Sequence, residues 1–226
     1  MRPFYFFPLG LVFILGLFLF LIVLFVLVQV EIISYAYERI GMSAGAIFLL
    51  LLLSLLGSAI NIPLTRVHGG PMYTEQMVDF FGMRYVIPAF ASHEDTIIAI
   101  NVGGAIVPAC ISLYLLISTP GLFLRSLLGI AIVSLITQRL ARPVPGVGIA
   151  VPMLIPPLIA AATGLLLAPN HAAALAYIAG TLGCLIGADL LNLHRLAGLG
   201  APIASIGGAG TFDGIFFTGI VAVLLT

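Results

Sequence analysis

The sequence predicts an all-α, polytopic transmembrane helix bundle of about seven spans, some of them broken, forming one integral membrane domain over residues 1–226. Three observations carry this. The chain is 62% hydrophobic and 7% charged, where soluble domains hold roughly 25% charged residues. Apolar runs recur at about the 20-residue length that crosses the hydrocarbon core. Glycine and proline fall inside the later runs, where a spanning helix must be interrupted.

The runs lie at about 8–30, 44–64, 97–118, 121–141, 147–168, 172–194 and 208–226. The first is expected as a retained span rather than a signal peptide. It is too long, and Glu31-Ile32-Ile33-Ser34 is not a small-residue cleavage pattern. Between the second and third runs, residues 65–96 are expected as a cytoplasmic or interfacial loop. Within it, Met83-Arg84-Tyr85-Val86-Ile87 is strand-like, bounded by Gly82 and Pro88.

The third run contains Asn101-Val102-Gly103-Gly104 and Pro108, and the fifth contains Pro152, Pro156 and Pro157. Backbone groups freed by such breaks need protein or water to satisfy them. The stretch from Val102 to Pro108 is echoed by Val147 to Pro152, in the manner of a duplicated broken-helix unit. In the sixth run, Gly183 and Gly187 form a small-xxx-small pair that lets another helix approach closely.

Charge narrows the partners. All eight basic residues are arginine and the net charge is zero. No basic patch exists to displace counterions, so nucleic acid is not an expected partner. With a cytoplasmic N-terminus, Arg2, Arg66, Arg84, Arg139, Arg142 and Arg195 fall inside, against Arg39 and Arg125 outside. That positive-inside bias predicts a multi-pass protein of the cell membrane in this orientation. Cys110 and Cys184 both lie in apolar runs and are expected as packing residues rather than a disulfide.

Six of the eight acidic residues lie in loops or at span edges. Asp189 and Asp213 sit within apolar runs, where a charge costs about 2.5–3.5 kcal/mol on insertion scales. At 1.5 Å per residue, they are expected ~7.5 and ~5 Å below the inner surface on consecutive antiparallel helices. A facing pair would share a proton, splitting the two apparent pKa values. One carboxylate then serves as general base and the other as general acid, the logic of an aspartyl hydrolase. Two other readings stand beside this one. The same carboxyls suit ion or proton coupling in a small transporter or channel, with Asn101 and the broken spans. In a structural subunit, Asp213 caps a helix and Asp189 pairs with Arg195 or bonds Asn192.

Gly208-Ala209-Gly210-Thr211-Phe212-Asp213-Gly214, followed by an apolar stretch with Gly219, resembles the Gly-x-Gly-Asp helix of signal peptide peptidases and presenilins. Thr211 and Phe212 depart from that motif by standing between Gly210 and Asp213. The resemblance implies an intramembrane aspartyl protease with Asp189 and Asp213 as its dyad, supported by Gly208, Gly210, Asn192 and Asn101. Its substrate would be a transmembrane peptide, with no cofactor. As a whole chain, the sequence resembles a prokaryotic membrane family, domain of unknown function 1614, which implies no activity. No metal site is expected, because His68, His93, His171 and His194 lack the spacing of a helical zinc motif.

Overall fold

A computed structural model describes residues 8–67, 72–80, 83–91, 96–144, 148–195, 203–208 and 214–226. Within them the seven apolar runs each give one α-helix, and short strands lead into several of these.

Helix α1, Pro8–Arg39, is Leu, Phe, Val and Ile almost throughout, and from Leu11 to Phe25 its apolar side chains are exposed. A helix apolar on every side belongs in a bilayer. It stops where Gly41 takes φ +88°, the left-handed cap that glycine adopts without a Cβ penalty. The Gly41 amide donates to Glu38 O (2.9 Å) and the Met42 amide to Tyr37 O (3.1 Å). Ser43 then caps α2, Ala44–Gly57, its hydroxyl accepting from Ala46 N at 3.4 Å.

The second run was expected to stay helical to residue 64, but α2 ends at Gly57 and the chain continues as β1, Asn61–Val67. Pro63 and the β-branched Ile60, Ile62, Thr65 and Val67 favour extended backbone there. The stretch 65–96, expected as a loop, is largely strand. β2, Met72–Phe80, pairs antiparallel with β3, Met83–Ala91, and residues 96–101 form β4, Thr96–Asn101. β3 runs through Pro88, which a two-stranded ribbon tolerates because each strand has a free edge.

The third run splits into β4, a π-helical turn Val102–Ile106, and α3, Val107–Ser118. Helix α4, Phe123–Leu140, is continuous. A small ribbon of β5, Arg142–Val144, and β6, Gly148–Ala150, precedes α5, Ile155–Leu167. Helix α6, Ala172–Cys184, passes into a π-turn Leu185–Asp189 and a 3-10 turn Leu190–Arg195. β7, Ile203–Ile206, precedes α7, Gly214–Leu224. Among the described residues, three helical stretches are long and apolar enough to cross a bilayer: Leu11–Arg39, Pro120–Leu140 and Pro169–Arg195. At 1.5 Å per residue α3, α5 and α7 reach only ~16–20 Å, about half to two-thirds of the hydrocarbon core.

The bundle is organised around α6. Leu175, Ala176, Tyr177, Ile178 and Ala179 are consecutive and all buried, because α4, α5 and α7 pack around this helix. At one end lies a strand layer ordered β1-β4-β7, with β1 antiparallel and β7 parallel to β4. Ile98, Ala105, Ala204, Ile206, Ile215, Cys184 and Ala188 form one apolar cluster that glues this sheet to the irregular end of α6. At the other end, Arg39 donates to Val223 O (3.3 Å), so the C-terminal ends of α1 and α7 share a side. A guanidinium on terminal carbonyls is also favoured by the helix dipole.

Candidate functional site

Asn101 stands where β4 turns into the start of α3, and it is 3% exposed. Its Oδ1 accepts from Gly104 N at 2.8 Å, capping the first helical turn. Its Nδ2 donates to Ser58 O (2.8 Å) at the end of α2 and to Asn61 Oδ1 (3.0 Å) in β1. Ser205 of β7 donates to the same Asn61 oxygen at 2.6 Å. One buried amide thus ties together α2, β1, α3 and, through Asn61, β7. Asn61 itself is exposed and Ser205 half-buried, so the cluster has a buried floor and an open rim.

Glycines let these segments meet. A Cβ on Gly103 would stand 2.1 Å from Ser54 O, and one on Gly104 would stand 2.0 Å from Gly207 O. Gly207 has φ +71°, a conformation that L side chains rarely adopt. A Cβ on Gly208 would meet Ser205 Oγ at 2.0 Å, so the sequence-expected Gly208 does border the polar cluster. These close approaches pack the broken ends of the helices backbone against backbone.

Asp189 is half-buried and closes the π-turn of α6. Asn192 is fully buried and donates to Gly187 O (2.8 Å) and Ala188 O (3.0 Å). Those carbonyls lie in the π-turn, where the helical ladder is interrupted, so Asn192 repairs the break. Arg195 donates to Ala141 O at 3.5 Å, joining the lower ends of α4 and α6. Gly210 and Asp213 lie outside the described residues.

Gly183 and Gly187 face α4. A Cβ on Gly183 would meet Val133 Cβ at 2.6 Å, and one on Gly187 would meet Thr137 Oγ1 at 2.0 Å and Ser134 O at 2.3 Å. Thr137 in turn reaches Gly183 O at 3.3 Å. Gly187→Ala is therefore expected to lower the thermal unfolding temperature in detergent, at a cost of about 1–3 kcal/mol. An unchanged transition would mean that α4 and α6 do not meet through this face.

Sequence reasoning missed Asn61, Ser58 and Ser205, since each sits at the edge of an apolar run and gains meaning through strand pairing. A second missed feature is a row of hydroxyls on three helices: Ser54 of α2 adjoins Tyr37 of α1, which adjoins Tyr177 of α6, which adjoins Thr181. All four hydroxyl oxygens are buried. Among the described residues no group of three His, Cys, Asp or Glu side chains is placed to hold a metal ion.

Residues 55–225 match the family described as protein of unknown function (DUF1614), and the chain belongs to that family. No curated protein and no solved structure matches the chain. The family match takes in the strand layer and α3 to α7, and leaves α1 and most of α2 outside it.

Proposed function

We propose that this protein is a membrane transporter that binds a polar group of its substrate at the Asn61–Asn101–Ser205 cluster. The observation that carries this is the buried Asn101 amide at the junction of broken spans, with Asn61 open to the surroundings beside it. Secondary transporters place substrate sites where discontinuous helices meet, because backbone and amide groups there are free to coordinate. Parallel pairing of Ile97–Ile100 with Ile203–Ile206 brings the approaches to α3 and α7 side by side, as two such half-spans require.

Reconstitution into liposomes tests this reading. Flux of a panel of small neutral and charged solutes is measured per folded protein, and Asn61→Ala is expected to slow the transported one by about tenfold. Asn61 also accepts from Asn101 and Ser205, so the unfolding transition of the variant is measured alongside its flux. Equal flux in the variant, or no flux above empty liposomes for any solute, argues against transport.

A second reading is favoured by Asp189, a half-buried carboxyl at an irregular turn. Under it the protein is a membrane-embedded aspartyl hydrolase of transmembrane peptides, with Asp213 as the partner carboxyl. Incubation with labelled peptides, read by mass spectrometry, separates the two readings: cleavage lost in both Asp189→Asn and Asp213→Asn supports hydrolysis. Asn keeps the size of Asp but cannot take up the mobile proton. The proposed setting is the cell membrane with the N-terminus in the cytoplasm. A cysteine at Gly41, in a protein lacking Cys110, is expected to label from outside, and one at Arg142 from inside.

A further inference from the structure

The helical hairpins α3–α4 and α5–α6 turn in the same way. Thr119 ends α3 with φ −126° and ψ 70°, and Ala168 ends α5 with φ −148° and ψ 71°. A proline follows each, opening the 3-10 turns Pro120–Leu122 and Pro169–His171 that lead into α4 and α6. The hydrogen bonds repeat too. Thr119 N donates to Leu115 O (3.1 Å) and Leu122 N to Thr119 O (2.9 Å), as Ala168 N does to Gly164 O (3.0 Å) and His171 N to Ala168 O (2.9 Å). The offset is the same at the turn (168 − 119 = 49) and at the start of the next helix (172 − 123 = 49). One backbone turn thus occurs twice, carrying different side chains.

A cavity of about 300 Å³ is lined by both turns: Thr119, Leu122 and Arg125 from the first hairpin, Ala168, Asn170 and His171 from the second. Leu122 and Ala168 are buried, whereas Arg125, Asn170 and His171 are exposed. From Ala172 to Cys184 the helix rises ~18 Å, so the cavity lies at the end of the bundle away from the strand layer and the Asn101 cluster. Its chemistry is that of an anion site. The Arg125 guanidinium is a positively charged, planar fork that matches phosphate oxygens bidentately. The His171 ring, the Asn170 amide and the Thr119 hydroxyl add donors from the facing turn and beside it. The N-terminal ends of α4 and α6 both meet here, and helix N-termini favour negative charge. From Thr96 to Ala188 the chain contains no Asp or Glu, so neither hairpin supplies a carboxylate to balance Arg125. Glu38, at the end of α1 on the same side of the bundle, does not line the cavity. Donors spread over two turns suit a tetrahedral anion, whose oxygens point several ways, better than a planar carboxylate.

We infer that the paired turns bind a phosphate group, with Arg125 as its main contact and His171 and Asn170 facing it from the second turn. The spans Pro120–Leu140 and Pro169–Arg195 both begin at these turns, so the cavity stands where a helix leaves the apolar layer. A lipid headgroup and a dissolved phosphate both reach that level. The inference is independent of the transport reading, because the Asn101 cluster lies at the other end of the bundle.

The test uses the full chain in an uncharged maltoside detergent with radiolabelled inorganic phosphate and radiolabelled lysophosphatidic acid. Binding is read by scintillation proximity at fixed ionic strength. Saturable binding of at least one probe is expected, weakened by about tenfold in Arg125→Gln and less in His171→Gln. Both residues are exposed, so thermal unfolding of these variants is expected to match wild type. Gly121→Leu is expected to block binding with every charge in place. Nothing lies within 4 Å of the Gly121 Cβ position, so the new side chain enters open space beside Arg125. Arg139→Gln, in the last turn of α4, is the control and is expected to bind as wild type does. Lipid probe displaced by inorganic phosphate identifies phosphate itself as the recognised group. Binding of the lipid probe alone assigns the site to a headgroup, and binding of inorganic phosphate alone assigns it to a soluble anion. Absence of saturable binding for both probes overturns the inference. So does binding untouched by Arg125→Gln and Gly121→Leu, or lost equally in Arg139→Gln, and so does displacement by acetate as readily as by phosphate.

Discussion

Gly104→Ala is expected to abolish recovery of folded protein. The added Cβ would lie 2.0 Å from Gly207 O, and that oxygen belongs to backbone, so no side-chain rotation relieves it. Nor does the facing segment have room to retreat. Gly207 is held at φ +71°, and its own Cβ position is 2.7 Å from Ala105 N. Overpacking typically costs 1–3 kcal/mol where side chains can shift, so a backbone collision is placed at ~3 kcal/mol or above. Buried Cys184 provides the readout once Cys110 is replaced by serine: its thiol becomes accessible to maleimide only on unfolding. Gly45→Ala is the control, because nothing lies within 4 Å of its Cβ position, and helix propensity there favours alanine by ~1 kcal/mol. Wild-type unfolding in Gly104→Ala would show that β7 does not pass against the start of α3.

Asn101→Leu is expected to have the second largest effect, on stability and flux together. It keeps the approximate volume but strands Gly104 N, Ser58 O and one bond to Asn61. Each buried group left unpaired costs about 1–3 kcal/mol, so the sum reaches ~3 kcal/mol or more. Asn101→Asp separates the roles. Aspartate still accepts from Gly104 N, yet it cannot donate to Ser58 O or Asn61 Oδ1 when ionised. Flux is expected to be lost in both variants, and the helix cap only in the leucine variant. Asn101→Leu with full flux and wild-type unfolding would remove the cluster from both site and fold.

The seven helices were legible because hydropathy alone marks runs of spanning length. The division of those runs into strand and helix was not. Thr96-Ile97-Ile98-Ala99-Ile100 is as apolar as any helical segment, and a short apolar run gives no periodicity that separates the two states. The parallel partner of this strand, Ile203–Ile206, lies far away in sequence, and nothing local announces the pairing. Asn101 was legible as a polar residue inside an apolar run. Its partners Asn61 and Ser205 were not, since register across β1, β4 and β7 is what brings them together. Of the sequence-expected pair of carboxyls, Asp189 lies in a turn that repairs itself through Asn192, while Asp213 lies outside the described residues. Gly183 and Gly187 were legible for a simple reason: a four-residue spacing puts both on one helix face, and that face meets α4.

The parallel pairing of β4 with β7 has a consequence for biogenesis. Synthesis proceeds from the N-terminus, and Ile97 leaves the ribosome 106 residues ahead of its partner Ile203 (203 − 97 = 106). Throughout that interval four spans are inserted while one edge of β4 has no strand beside it. An open edge in hydrocarbon leaves amide and carbonyl groups without partners, at several kcal/mol each. An edge kept in water, or against the translocation machinery, until residues 203–206 emerge avoids that cost. Closure of the sheet thus comes after the helices between the two strands have been made.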